Sequence, residues 1–100
     1  MNEKERFQED TNLEKIISKM FKAWGLAPKM KELDVVAAWP ELMGKGVAHR
    51  TQEIYIRNKI LHLKMNSSVM RDELVYGRSV IIQRINEYAG EEVIVDVWFE

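Results

Sequence analysis

Apolar residues recur with a helical period at the start of the chain and with a period of two in its middle. Leu13, Ile16, Ile17, Met20, Phe21 and Trp24 fall on one helical face, which predicts an amphipathic helix. Thr11 is placed to open that helix with a capping box: its hydroxyl can accept from the Glu14 amide while the Glu14 carboxylate reaches back to the Thr11 amide. Gly25 suits the left-handed position that ends a helix, and Pro28 keeps the helix from resuming directly. A second, weaker stripe of Met30, Leu33, Val36 and Ala37 runs toward Trp39, and Pro40 suits the first turn of a short helix through Met43. Gly44-Lys45-Gly46 then predicts a turn.

From Thr51 the period becomes two. Ile54 and Ile56 point one way and Tyr55 and Arg57 the other; after Asn58-Lys59, Leu61, Leu63 and Met65 alternate with His62 and Lys64. This predicts an antiparallel hairpin with one wet face. Ser67 or Ser68 caps a long helix whose stripe is Met70, Leu74, Gly77, Ile81, Ile85 and Tyr88, and Gly90 stops it. A glycine inside that stripe costs about 1 kcal/mol of helix propensity, so a close approach to the sheet is its expected reason. Val93, Val95, Val97 and Phe99 form the inward set of a last strand, with Ile94, Asp96 and Trp98 on its other side. The expected fold is α+β in the order α-α-β-β-α-β, with a small three-stranded sheet and helices on one face. The strand-helix-strand part is expected to be a right-handed unit. Residues 1–10 read as a charged, flexible segment and residues 11–100 as a single domain.

Composition narrows the function classes. A chain of 100 residues with 46% hydrophobic and 31% charged residues is an ordinary globular domain. It contains no cysteine, which removes disulfides and thiolate metal sites and suits a reducing compartment. The charged opening lacks the apolar core of a secretion signal, and no segment approaches the roughly 20 apolar residues that span a bilayer. A cytoplasmic protein without membrane contact is expected.

The formal net charge of -1 hides an asymmetry. Between Gly44 and Asn66 the cations Lys45, Arg50, Arg57, Lys59 and Lys64 face only Glu53, whereas Glu91, Glu92, Asp96 and Glu100 close the chain without a cation among them. The hairpin is basic and the tail acidic. A pI of 6.1 lies far from that of a typical nucleic-acid binder.

Few residues offer chemistry. His49 and His62 have no second histidine at metal-ligand spacing, and His49 is expected to hydrogen-bond backbone where the glycine turn meets the strand. Asp72 and Glu73 are neighbours on a helix, so their side chains diverge by about 100° and suit the helix dipole rather than a carboxylate pair. Gly44-Lys45-Gly46 lacks the spacing of a phosphate loop. No catalytic residue, no metal site and no cofactor is expected. The wet face of the sheet is the candidate surface: Tyr55, Arg57, Lys59, His62 and Lys64, with Trp98 on the matching face of the last strand. Interleaved aromatic and cationic groups can stack bases and neutralise phosphates. They can also anchor a protein, or simply cover the sheet by cross-strand packing.

The run Trp39, Gly44, Ala48, His49, Thr51, Leu61, then Ser67, Glu73, Leu74, Ile85, Asn86 and Gly90 resembles the DciA-like family, which is associated with the bacterial replicative helicase. The resemblance covers about the last two-thirds of the chain, in a short form without a C-terminal extension. It implies a KH-like core, although the Gly-x-x-Gly clamp of KH domains is absent, and it implies that Trp39, Gly44, His49, Thr51, Leu74, Asn86 and Gly90 are a structural motif. It further implies a non-enzymatic replication accessory domain whose partners are the replicative helicase and, weakly and non-specifically, DNA. The alternative is an adaptor that binds only protein.

Overall fold

The computed structural model describes the backbone of residues 3–100 and the side chains of residues 12–100. The chain divides into two compact units, one ending at Met30 and the other running from Lys31 to Glu100. In the first, helix α1 (Glu3–Ala23) begins well before Thr11, so the expected start at that residue is not observed. The Thr11 hydroxyl lies outside the described residues. Most of the stripe of α1 is exposed, with Ile16 and Trp24 each more than half open to solvent and Phe21 part-buried.

Helix α2 (Ala27–Ala37) accommodates Pro28 in its first turn, where a missing N–H costs nothing. Its inward face differs from the expected stripe. Val35 is fully buried and Leu33 is half exposed, because the residues that meet the core continue directly into Ala38 and Trp39. Helix α3 (Trp39–Met43) has Pro40 in its first turn and ends at Gly44, whose φ of 91° requires glycine. The expected turn after it is in fact a short helix, α4 (Lys45–His49), with Gly46 inside it.

Strands β1 (Thr51–Arg57) and β2 (Ile60–Met65) pair antiparallel. Asn58 and Lys59 both take positive φ, 53° and 61°, the geometry of a tight two-residue hairpin turn. Ser67 caps helix α5 (Ser68–Tyr76) by accepting from the Met70 amide at 3.3 Å. Gly77 then interrupts the long helix that the pattern predicts, and helix α6 (Arg78–Ala89) starts anew. No sheet atom lies within 4 Å of where a Gly77 Cβ would sit; its nearest neighbour is the Glu73 carbonyl oxygen at 3.6 Å. The glycine marks a joint between helices, not a contact with the sheet.

The last strand is shorter than its alternating pattern suggests. Strand β3 spans only Asp96–Phe99 and pairs parallel with β2, giving the order β1-β2-β3. Val93 and Ile94 are both buried while Val95 is half exposed, so residues 93–95 are a connector and not an alternating strand. The sheet's inner face (Ile56, Leu61, Leu63, Val97) packs with Val35, Trp39, Leu74, Ile81, Ile85 and Ile94 into one core. This is an α+β fold in the expected order, with the expected short helix through Met43 as α3 and with α4 and the joint at Gly77 added.

Candidate functional site

Two polar junctions hold the frame of the sheet. Trp39 is 2% exposed, and its indole Nε1 donates to the Thr51 hydroxyl at 3.1 Å. That hydroxyl donates in turn to the Val47 carbonyl at 2.8 Å. The chain therefore ties the start of β1 to α3 and α4 through one side chain, and a buried indole N–H finds the partner it needs. At the other end, Asn86 on α6 grips the connector: its Oδ1 accepts from the amides of Val93 at 2.9 Å and Ile94 at 3.1 Å, and its Nδ2 donates to the Ile94 carbonyl at 2.9 Å. The side chain takes the place of a strand partner for Val93 and Ile94, while the next amide, Val95, already donates to the Lys59 carbonyl at 2.8 Å. Gly90 ends α6 with φ 74° and turns the chain back toward that grip.

Leu74 joins the core from α5. His49 is exposed at the end of α4, beside an open hollow that also borders Pro40 and Lys45. Among the described residues its side chain makes no hydrogen bond, so the expected backbone contact is not formed. The described residues hold no group of three His, Asp or Glu side chains placed to bind a metal.

The register assembles the predicted surface. Tyr55 lies opposite His62, and His62 lies opposite Trp98, so three rings from three strands form one row on the outer face. Tyr55 and His62 are stacked, with ring centroids 4.6 Å apart and planes 4° from parallel. Trp98 stands 60% exposed at the end of the row. The cations are less uniform than the chain order suggests. Glu53 lies opposite Lys64, Asp96 opens β3 on the same face, and Lys59 at the turn sits 3.8 Å from Glu92. Arg57 and Lys64 remain outside any ion pair among the described residues. The acidic tail thus returns beside the basic hairpin and engages one of its cations, Lys59.

A second feature was not legible in the sequence. Arg71 and Val75 on α5, Arg78 on α6, and Trp98 and Phe99 on β3 line a groove of about 340 Å³. Arg78 lies 3.7 Å from the Asp96 carboxylate and 6.0 Å from the centre of the Phe99 ring. Its position follows from the break at Gly77, which restarts α6 beside β3; a continuous helix gives no reason to single out either arginine. Trp98 belongs to both the groove and the outer row.

No helix among the described residues is long and apolar enough to cross a membrane. No curated protein and no solved structure matches the chain. A family model described as Dna[CI] antecedent, DciA, matches residues 12–99, which takes in α2 to β3 and both polar junctions. The chain belongs to the DciA family, a name that implies a role in DNA replication and helicase loading.

Proposed function

We propose that this chain is a non-enzymatic accessory domain of DNA replication that contacts the replicative helicase through the outer face of its sheet, in the cytoplasm, and assists helicase loading. The observation that carries the reading is the row Tyr55, His62 and Trp98, aligned across three strands with Trp98 exposed at its end. A large ring left open on a rigid sheet is a typical anchor for a protein partner, because little side-chain freedom is lost when it is covered. DNA is the weaker ligand in this reading. Glu53 and Asp96 share the face with Arg57 and Lys64, and Lys59 is engaged by Glu92; two free cations support only modest, non-specific phosphate contact. The same offsetting of charge favours the protein-only adaptor as the second reading.

The test measures helicase capture and DNA binding side by side, at low and at physiological salt, with the parent, Trp98→Ala, and an Arg57→Glu, Lys64→Glu pair. Helicase binding is expected to persist at physiological salt and to fall at least tenfold in Trp98→Ala. DNA binding is expected to follow a log-log salt slope of about -2 and to vanish in the charge-reversed pair. Unchanged helicase binding by Trp98→Ala removes this face from the contact; absence of DNA binding by the parent at low salt leaves the adaptor reading in front.

A further inference from the structure

The two edges of the sheet are finished differently. On β3 the Glu100 amide donates to the Leu63 carbonyl, so by alternation the Val97 amide points away from β2. That outward amide is already taken, because Asp96 Oδ1 accepts it at 2.8 Å, and Arg78 stands beside the same carboxylate. The edge is short and occupied, a common protection against further pairing. β1 has no such device. It is seven residues long, and among the described residues β2 is its only strand partner.

The hairpin turn settles which backbone groups that edge offers. A two-residue turn closes on a hydrogen-bonded pair, here Arg57 with Ile60, so Arg57, Tyr55 and Glu53 direct their amides and carbonyls toward β2. Ile54 and Ile56 direct theirs outward. The one irregularity of the pair lies between Thr51 and Glu53 and leaves this stretch regular.

We propose that β1 is a self-association edge, pairing antiparallel with β1 of a second copy of this chain about Tyr55. The segment is complementary to itself in that register. Ile54 of one copy exchanges both backbone hydrogen bonds with Ile56 of the other, twice, which uses every outward group of the stretch. Tyr55 meets its own counterpart on the two-fold axis, and Glu53 meets Arg57 in both directions. These fall at the non-hydrogen-bonded positions, where side chains come closest. Neither Glu53 nor Arg57 has an ion-pair partner among the described residues, so the pairing disrupts nothing. On the inner face Ile54 lies over Ile56 and extends the core. The result is a closed, isologous dimer with a six-stranded sheet. Its outer face carries the Tyr55, His62, Trp98 row twice in line, about 24 Å from end to end at ordinary strand spacing. A contact of one strand per copy is small, so association depends on concentration.

This inference needs neither the helicase nor DNA, and its test uses the purified chain alone. Sedimentation velocity over a concentration series is expected to show a monomer-dimer equilibrium for the parent. Glu53→Lys and Arg57→Glu each set like charges opposite each other twice, and each is expected to remain monomeric where the parent dimerises. An equimolar mixture of the two single variants places opposite charges together at both positions and is expected to dimerise, as is the chain carrying both changes. Circular dichroism checks that each variant is folded. A parent that is monomeric throughout, dimers that ignore both single changes, or a mixture that fails to associate would each overturn the proposal.

Discussion

On its inner face the sheet presents Leu61 and Leu63 with no exposed surface, and Ile56 and Val97 with almost none; one residue along the same strands, the outer face presents Tyr55, His62 and Trp98 as an open row. Both faces are built from the same hairpin and the same four-residue strand. The inner face is closed by helices from both ends of the Lys31 to Glu100 unit, and its polar needs are met by two side chains, Trp39 and Asn86, placed where strands begin or lack a partner. The outer face has no layer over it among the described strands and helices of that unit. The difference teaches that the residues holding this fold together and the residues proposed to meet a partner are largely separate sets. Damage to the first should unfold the domain, and damage to the second should leave it folded and less able to bind.

The strongest way to break that division is at Trp39. Truncation to Ala removes a fully packed indole and leaves a cavity, for which about 3 to 5 kcal/mol is expected. Against a domain stability of about 5 to 15 kcal/mol, Trp39→Ala should melt far below the parent or fail to fold. Trp39→Phe keeps most of the volume but gives up the hydrogen bond to Thr51 and part of the ring's packing, so it should cost about 2 kcal/mol. Thermal melts should rank Trp39→Ala below Trp39→Phe and both below the parent; equal stability of Trp39→Ala and parent would contradict the burial.

Asn86→Ala should come next, at about 2 to 4 kcal/mol. It frees the amides of Val93 and Ile94 and the Ile94 carbonyl at a half-buried junction, where water makes good part of losses of about 1 to 3 kcal/mol per group. Denaturant unfolding measures it. A loss under about 0.5 kcal/mol would mean that water takes over the grip and that the connector is not held by this side chain.

Local chemistry made some of this frame legible in the sequence and concealed the rest. Asn58-Lys59, Ser67 and Gly90 act on backbone within a few residues, so the hairpin, the start of α5 and the end of α6 follow from the chain itself. The failures are tertiary. Val93, Val95 and Val97 alternate as a strand does, yet Asn86 captures the backbone of Val93 and Ile94 and pulls both side chains inward, so pairing begins only at Asp96. Gly77 fits a continuous helical stripe, and nothing near it in the sequence announces a break. Gly46 reads as a turn and lies in α4, since α3 and α4 pack together around Gly44. The outer row was legible because strand alternation fixes faces. The engagement of Lys59 was not, because Glu92 reaches the hairpin only as the chain returns toward β3.

The smallest expected effect on stability is at Trp98, and it is the one that sharpens the comparison most. The indole is 60% exposed, and no hydrogen bond of its Nε1 is formed among the described residues. Replacing it with Ala gives up only part of a cross-strand contact with His62 and some strand propensity, together under about 1 kcal/mol. Trp98→Ala should therefore unfold at nearly the parent temperature while its helicase binding falls, the reverse of Trp39→Phe, which should lose stability and keep binding once folded. The two indoles thus test the two faces with one residue type. If Trp98→Ala instead loses as much stability as Asn86→Ala in the same denaturant series, the outer row is part of what holds the sheet together. Its loss of binding would then report on folding, and the assignment of the outer face to a partner would fail.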